Sequence, residues 1–484
     1  MVIPFRLHQH LNGSRQNAGQ QAGNQEQTAA CDGGEPEREH ILKRRIYQMP
    51  SLRNGLSKLA VFAGAVLLAF QTSAGFAQPI TVKLWFHEHP PRNAVDEKAI
   101  AAFEAENPDI HIERTLIPYS EFGTKLLTAF ATGAAPDLFN QVTLELGQYY
   151  AAGLLAPIDM KAAGFADQAA LDAQFRQGAL AGITFAGKVY GLPTEVSDYY
   201  CYANNRLWAE KGLNPAKDFP KTWEEMVDVA GKLTVRDSSG IPTRRGFDFN
   251  WSGSVYMWLQ FNPMVSQLGG QMVVETAYTA DLNTPQVAKT FQYWADWVNR
   301  YHLGGPQYPE SRPAFLAGEI ATDCSMGIWG VPLIEKAGIE YTPFPVPRWS
   351  GAVRDNGFDD YAYYLMVNSK SSPEVQAAAW KFARFYTNYA SELFSAAGLF
   401  VPTLELLASK EAMSGRGMDV YLSELSKSNF SPRIAGFNAV GDALLRARDR
   451  IVQGNEPVAD TLPGLNDEVN RILVREKAKA EAAR

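Results

Sequence analysis

The amino-acid sequence predicts an α/β fold with mainly parallel sheets. Three features support this prediction. Strand-like segments alternate with amphipathic helices from residue 78 onward. Several helices begin at recognisable capping residues, and no Pro- or Ser-rich linker divides this part of the chain into consecutive domains. With 46% hydrophobic and 20% charged residues, the 484-residue chain is long enough and apolar enough for two substantial cores.

The first elements follow directly after residue 78. Apolar residues at every second position of residues 80–86 predict a strand. A helix comes next, because Val95, Ala99 and Phe103 lie four residues apart and share one face. Pro108 then ends that helix.

The same alternation continues along the chain. The string IHIERTLI predicts a second strand, and Phe122, Leu126 and Phe130 form the apolar face of a second helix, which ends at Gly133. The string PDLFN then leads into a third strand. Later helices begin at Thr222, Thr284 and Ser372.

The first 77 residues differ in composition from the rest. Residues 12–39 hold almost no large apolar side chain and cannot bury enough surface to fold. Residues 49–77 combine basic residues, an apolar run of about 12 residues and small residues before a break, which is typical of an export signal. A membrane anchor needs about 18 or more apolar residues, so we expect cleavage near Ala77 instead. Residues 1–48 are then a disordered extension or a mis-assigned start.

Charge and cysteine content narrow the function classes. A formal net charge of −7 argues against nucleic acid, whose phosphates require a basic surface. Three cysteines are too few for a disulfide framework, and Cys31 precedes the predicted cleavage point. Cys201 and Cys324 remain. They form either one disulfide, which export permits, or two buried thiols.

Residues 182–188 resemble a phosphate-binding loop but do not complete it. Val189 stands where magnesium chemistry needs Ser or Thr, and the following residues predict a strand and a turn rather than a helix. A hairpin turn at Ala186 and Gly187 explains the string better. The chain also has no GxSxG nucleophile elbow. We therefore assign no catalytic residue and no cofactor.

His87 and His89 lie at the end of the first strand, two residues apart on one face. Zinc needs a third and usually a fourth ligand, and His111 and His302 are the remaining histidines after the predicted cleavage point. Pro91 also rules out the helical HExxH arrangement. We expect no metal site, because polar residues at the carboxyl end of such a strand are better explained as ligand contacts.

Five strings occur in order after residue 78: FEAENPDIHIE, YSEFGTKLLTAFATGAAPDLF, GKVYGLPTEVSDYYCYANNRLWAEKGL with KTWEEM, FLAGEIATDCSMGIWG, and LMVNSKSSPEVQAAAWKFARFY. Together they resemble the extracellular solute-binding proteins of ABC importers, in the carbohydrate-binding family that includes maltose-binding protein. Each string is weak alone. Their order and spacing carry the resemblance, which covers essentially everything from residue 78 onward.

The resemblance implies the type II periplasmic binding protein fold, with two lobes joined by crossing hinge strands and a ligand cleft between them. Lobe 1 would take residues 78–196 and 345–396, and lobe 2 would take residues 197–344 and 398–484. Hinge closure would capture the ligand. The implied protein is a periplasmic monomer, not an enzyme, that delivers a mono- or oligosaccharide to the permease of an ABC importer.

Two alternatives stay open beside the carbohydrate receptor. The first is a receptor of the same fold for a non-sugar solute, such as a polyamine, a sugar phosphate or phosphodiester, or a metal chelate. The second is a glycan-degrading enzyme, which would need two close carboxylates in the cleft.

Sugar recognition needs aromatic faces and planar polar groups. Trp329 matches a family position where an aromatic ring stacks on sugar, and His87 and Glu88 match the end of the first strand. Arg433 either pairs with an anionic group of the ligand or ties down a loop, and Trp251 fits the cleft and a buried core equally well. The remaining implied ligand contacts are Gln141, Asp198, Tyr199 and Tyr361.

Overall fold

A five-stranded and a three-stranded sheet form the centres of two lobes. The computed structural model describes residues 79–482, so the predicted export signal and residues 1–48 lie outside the described residues. The strands are β1 (Ile80–His87), β2 (Ile110–Ile117), β3 (Leu138–Val142), β4 (Thr184–Phe185), β5 (Lys188–Val189), β6 (Leu192–Ser197), β7 (Tyr200–Asn204), β8 (Val235–Arg236), β9 (Pro242–Arg244), β10 (Val273–Val274), β11 (Thr279–Ala280), β12 (Thr322–Met326), β13 (Tyr341–Phe344) and β14 (Tyr361–Val367).

Helices cover both sheets and alternate with the strands, as the sequence predicts. They are α1 (Pro90–Glu106), α2 (Tyr119–Thr132), α3 (Leu146–Ala151), α4 (Gln168–Asp172), α5 (Asn205–Ala209), α6 (Pro215–Asp218), α7 (Trp223–Leu233), α8 (Asn262–Gln267), α9 (Pro285–Asn299), α10 (Ser311–Leu316), α11 (Val331–Lys336), α12 (Pro373–Tyr386), α13 (Ala390–Ala397), α14 (Leu404–Ala408), α15 (Lys410–Met413), α16 (Met418–Leu425), α17 (Phe437–Val452) and α18 (Val458–Ala482). Within the described range, every helix is too short or too polar to span a bilayer.

Local signals in the sequence place several of these helices. Thr222 and Glu225 form the capping box that begins α7. Thr284 and Ser372 cap α9 and α12, and each is followed by a proline at the first helical position. These contacts confirm the three predicted helix starts. The signal is local, because a capping side chain accepts hydrogen bonds from backbone N–H groups of the first turn of its own helix.

The hairpin between β4 and β5 replaces the phosphate-binding loop that the string resembles. Its two turn residues, Ala186 and Gly187, both have positive φ angles of 47° and 75°, and β4 pairs with β5 in antiparallel fashion. Such a turn matches the twist of the flanking strands. The preference for a hairpin over a nucleotide loop is confirmed.

The five-stranded sheet has the order β2-β1-β3-β14-β6. Strand β1 is parallel to β2 and β3, whereas β14 is antiparallel to both of its neighbours. The three-stranded sheet has the order β12-β7-β13, and both of its pairings are antiparallel. The expectation of mainly parallel sheets is therefore wrong for the second sheet. Its central strand β7 leaves the junction between the lobes, while β12 and β13 run toward that junction.

Two hydrophobic cores lie against these sheets. The first contains Phe86, Trp380 and Tyr364 around the five-stranded sheet, and the second contains Trp223 and Trp294 on the helices of the other lobe. Residues 399–425 pack in the first core, and residues 437–473 pack in the second. The exact lobe boundaries stay a prediction.

Cys201 of β7 and Cys324 of β12 form a disulfide across the second sheet. Both residues are buried, and the bond joins positions 123 residues apart in the sequence. The sequence left this pairing open. Cross-linking such distant positions restricts the unfolded chain strongly, because loop-closure entropy grows with the length of the closed loop.

Removing this disulfide should lower stability without changing the fold. For Cys201→Ala combined with Cys324→Ala we expect a loss of about 2–5 kcal/mol, since a closed loop of this size is removed from the unfolded state. Thermal and urea unfolding followed by circular dichroism would measure the loss. A reductant should lower the stability of the natural chain and leave the double variant unchanged. Equal stabilities of the two proteins without reductant would contradict the prediction.

Candidate ligand-binding cleft

A cavity of about 420 Å³ lies where the two sheets meet. Strand β6 of the first sheet continues through Asp198 and Tyr199 into β7 of the second sheet, and residues 345–360 return the chain from β13 to β14. The rings of Tyr199 and Tyr361, one from each crossing, lie 5.7 Å apart. Both rings line the cavity, hereafter the cleft, so the cleft lies directly against the hinge.

A second cavity of about 250 Å³ adjoins the cleft on the side of β3 and α2. The two cavities share four lining residues, namely His87, Tyr119, Val142 and Tyr363. We call this second space the side cavity. The two spaces therefore adjoin each other at the carboxyl ends of β1 and β3, where crevices of α/β sheets form.

The structure brings most of the predicted ligand contacts together. The residues that line the cleft are His87, Glu88, Tyr199, Trp329 and Tyr361. Gln141 lines the side cavity. Asp198, Trp251 and Arg433 line neither space. The binding role of all nine residues stays a prediction.

Trp251 and Arg433 have partners that explain their positions without a ligand. Trp251 is 8% exposed, packs against Trp294 at 5.0 Å and donates its indole N–H to Asp248 at 2.7 Å. Arg433 forms an ion pair with Glu275 at 3.0 Å. It also donates to the backbone carbonyls of Ala181 and Thr184. The core alternative fits Trp251, and the loop-tying alternative fits Arg433.

Among the further residues that line the cleft, several polar or aromatic ones were not indicated by the sequence. They are Tyr119, Glu195, Tyr256, Arg312 and Tyr363. Tyr363 had a signal, because it follows Tyr361 by two positions in a strand and therefore faces the same side. The others come from a helix start, a crossing strand, the start of a π-helical turn and a short helix, and no spacing in the sequence links them.

His87 is a neutral aromatic contact in this environment. Burial, with the positive charge of Arg92 and then His89 as smaller causes, lowers the pKa of His87 to about 2. Its ring lies 4.8 Å from that of Tyr363 and 5.6 Å from that of Tyr119. Burial also lowers the pKa of His89 to about 4. At neutral pH each imidazole therefore offers one donor and one acceptor rather than a charge.

Glu195 is the buried carboxyl group of the cleft. Burial raises the pKa of Glu195 to about 7, although the Tyr361 hydroxyl partly opposes the rise. That hydroxyl donates to the Glu195 carboxyl at 3.2 Å. Near neutral pH, a substantial fraction of this carboxyl is uncharged and can itself donate a hydrogen bond.

Trp329 reaches the cleft because of the tight turn that precedes it. A side chain at Gly327 would place its Cβ atom 2.3 Å from Ser197 Oγ, so only glycine lets this turn approach the crossing strand. The Arg312 guanidinium lies over the Trp329 ring, 4.7 Å from its centroid. Arg312 also donates to the Tyr256 hydroxyl and to the Ser325 carbonyl.

Known proteins match most of this chain in sequence pattern and in fold. The model of the bacterial extracellular solute-binding protein family matches residues 98–413, which is more than half of the chain. The chain belongs to this family. The family assignment that the ordered strings predicted is confirmed.

Individual relatives are distant in sequence and close in fold. A maltotriose-binding protein of Pyrococcus abyssi (strain GE5 / Orsay) is 22% identical over 306 residues, covering 63% of this chain and 62% of that protein. An ABC transporter solute-binding protein of Thermotoga lettingae TMO, bound to α-D-tagatose, has a TM-score of 0.69 at 20% identity and covers 81% of this chain and 100% of that chain. UgpB of Mycobacterium tuberculosis, in complex with glycerophosphocholine, has a TM-score of 0.69 at 17% identity, with 82% and 98% covered. These structures confirm the two-lobed type II fold.

The hinge of this solute-binding protein contains a buried pair of carboxyl groups. Ser428 Oγ lies 2.8 Å from an Asp198 carboxyl oxygen, 2.7 Å from an Asp360 carboxyl oxygen and 2.9 Å from the Glu424 backbone carbonyl. A serine hydroxyl has one proton to donate. It cannot satisfy three acceptors, so one of the two aspartates must carry a proton and donate to Ser428.

Electrostatics at the hinge favour the same protonation. Burial, followed by repulsion from Asp360 and Glu424, raises the pKa of Asp198 well above its ordinary value. Burial, with repulsion from Asp359 and Glu424, raises the pKa of Asp360. The Ser428 hydroxyl and Arg176 lower it by a smaller amount. Glu424 itself is paired with Arg348, with two contacts of 3.0 Å. The hydrogen bonds of Asp198 and Asp360 to Ser428 therefore connect both crossing segments to residue 428.

Asp198→Asn should stabilise the protein above neutral pH. The asparagine oxygen can keep the bond from the Tyr199 N–H, now 2.6 Å long, while its NH₂ group donates to Ser428. Because the pKa of Asp198 is higher in the folded state than in the unfolded state, the free energy of unfolding falls as the pH rises from the unfolded-state pKa to the folded-state pKa. The variant removes that loss. We expect it to gain about 1–3 kcal/mol at about pH 8 and much less at about pH 5.

Thermal unfolding across that pH range would measure the difference. Asp228 is exposed, so Asp228→Asn is a matched control that should show no pH-dependent gain. If Asp198→Asn were less stable than the natural chain at every pH, the shared proton at the hinge would be disproved.

Proposed function

We propose that this chain is the substrate-binding component of an ABC importer, and that it captures a mono- or oligosaccharide by hinge closure. One observation carries the proposal. Trp329 and the tyrosines of both crossings surround a cleft of about 420 Å³ together with uncharged hydrogen-bonding groups. Aromatic faces beside neutral polar groups suit the C–H faces and hydroxyls of a sugar ring.

The cleft also has the construction that hinge closure requires. Glu195 and Tyr363 come from the first sheet, whereas Arg312 and Trp329 belong to the second lobe. A ligand that touches both sides favours the closed state by its extra contacts there. This action needs no covalent chemistry. The proposal therefore includes a periplasmic, monomeric, non-enzymatic receptor that delivers its ligand to the importer's permease.

The relatives support a carbohydrate. The Pyrococcus abyssi protein is named for maltotriose, and the Thermotoga lettingae protein holds α-D-tagatose. The M. tuberculosis UgpB structure holds a phosphodiester instead.

A sugar phosphate or phosphodiester is the second candidate, and Arg312 favours it. This guanidinium is the one cationic side chain among the described residues that line the cleft. Arg433, the other residue that would favour an anion, lines neither cavity. Burial lowers the pKa of Arg312, but Tyr256, Tyr199 and then the buried carboxyl group of Asp323 raise it. That carboxylate offsets part of the positive charge and weakens the argument for an anionic ligand.

Thermal unfolding of the purified protein against a broad ligand panel tests the proposal. The panel should contain mono- and oligosaccharides, sugar phosphates, glycerophosphodiesters and polyamines. A ligand at about 100 times its Kd stabilises the protein by about 2.7 kcal/mol. Stabilisation by a neutral sugar supports the proposal. If sugar phosphates stabilise the protein and neutral sugars do not, the carbohydrate assignment fails in favour of the second candidate.

Trp329→Ala should weaken binding of the stabilising sugar by about 10- to 100-fold, because the ring face that contacts the sugar is lost. Trp329→Phe keeps an aromatic face and should lose less than about tenfold. Isothermal titration calorimetry would measure both. The unliganded unfolding midpoint serves as the fold control. Equal affinities of the natural chain and Trp329→Ala would remove this residue from the binding site.

A further inference from the structure

The side cavity contains a carboxylate that no cation neutralises. Glu145 ends the short 3-10 turn that follows β3 and lines the cavity. Its carboxylate accepts one hydrogen bond, from the Gln141 amide at 3.0 Å. Within residues 79–482 it has no ion-pair partner. Burial is the one cause that raises the pKa of Glu145.

Some buried carboxylates of this protein are paired with a cation. Asp96 contacts Arg92 and Arg114, and Glu424 contacts Arg348. Removing a carboxylate from water is costly unless a cation or several donors compensate it. The carboxylate of Glu145 is compensated by one neutral donor, the Gln141 amide. The missing compensation marks a place where a ligand can supply positive charge.

The helix next to Glu145 is shaped around its carboxylate. A Cβ atom at Gly123 of α2 would lie 2.8 Å from a Glu145 carboxyl oxygen, so a larger residue would displace that group. Glycine inside a helix costs about 1 kcal/mol relative to alanine. Here it lets the carboxylate lie at the cavity wall against α2.

Aromatic rings form much of the remaining wall. Tyr119, which is 65% exposed at the mouth, and Tyr363 line the side cavity with Phe122 and His87. His87 supplies no positive charge, because its pKa is lowered to about 2. Aromatic faces attract a cation through their quadrupole. An ammonium group in this cavity would therefore meet a carboxylate and several ring faces.

Charge is distributed unequally between the two adjoining cavities. The carboxylates that line them are Glu88, Glu145 and Glu195. The single lining cation, Arg312, lies over Trp329 and lines the cleft but not the side cavity. The end beside Glu145 is therefore acidic.

We propose that the side cavity is a subsite for a cationic group of the ligand, and that the transported carbohydrate carries a free amino group. The ammonium group pairs with Glu145 and lies against the ring of Tyr119, while an adjoining sugar ring occupies the cleft near Trp329. This inference rests on the carbohydrate function proposed above. It narrows the substrate class to amino sugars or oligosaccharides that contain one.

Three matched ligand series test the proposal by calorimetry with the purified natural chain. One series is glucose, N-acetylglucosamine and glucosamine, and another is cellobiose, N,N′-diacetylchitobiose and the glucosamine disaccharide. The third is built in the same way on whichever parent sugar of the panel stabilises the protein most. Members of a series differ in the substituent at C2 of each sugar ring, and the amine is the one member that carries a positive charge. We expect the amine to bind at least about tenfold more tightly than the neutral members.

Glu145→Gln keeps the size of the side chain and removes its charge. We expect this variant to lose the preference for the amine, measured as the ratio of the affinity for the amine to the affinity for the matched neutral sugar. Glu121→Gln is the matched control, because Glu121 lies on the neighbouring helix α2, is 53% exposed at its side chain and lines neither cavity. It should keep the full preference.

Each result decides between the alternatives. If amine and neutral sugars bind equally, or Glu145→Gln weakens both to the same degree, Glu145 is a hydrogen-bond acceptor for hydroxyl groups and the proposal is overturned. Neutral sugars that bind would then still support the carbohydrate function. If no sugar of any series or of the panel binds, the carbohydrate function fails and the amino-sugar proposal fails with it.

Discussion

One continuous polypeptide segment connects the two sheets, and the position of every cleft residue depends on it. Strand β6 lies at the edge of the first sheet, and three residues later the same segment is the central strand of the second. Tyr199 therefore cannot move independently of either sheet. The return crossing ends at Tyr361, beside Tyr199. Closure of such a molecule must be a rotation of whole lobes, because the packed cores do not deform continuously.

Burial at this junction determines the chemistry of the cleft. Removing carboxyl and imidazole groups from water favours their uncharged forms, which is why His87 and part of the Glu195 population are neutral near pH 7. The same effect raises the pKa values of Asp198 and Asp360. Both carboxyl groups contact the Ser428 hydroxyl, and protonation of one of them satisfies these contacts. Neutral polar groups can exchange hydrogen bonds with hydroxyls at low desolvation cost. Burial also raises the pKa of Glu145, whose carboxyl group accepts one hydrogen bond, from Gln141.

The sequence was informative where the signal is local. A capping residue, a turn with positive φ angles or a strand end is decided by neighbours within a few positions, so α7, the β4–β5 hairpin and the placement of His87 were predictable. The direction of β12 and β13 and the partners of Arg312 depend on packing between segments far apart in the chain. Trp251 shows the limit. An aromatic residue in a loop fits a cleft or a core equally, and its contacts with Asp248 and Trp294 could not be read from the sequence.

The disulfide extends the constraint from the hinge to the far wall of the cleft. Cys201 lies two residues after Tyr199, and Cys324 lies in β12, which leads directly into the turn that carries Trp329. The bond ties the crossing strand to the strand that presents the tryptophan. If β7 rotates at the hinge, β12 and Trp329 must rotate with it, because the disulfide joins the two strands. Trp329 and Tyr199 therefore lie on segments that the disulfide joins, whereas His87 and Glu195 belong to the five-stranded sheet. The side chains that line the cleft are thus positioned by two separate sheets and by the single segment that connects them.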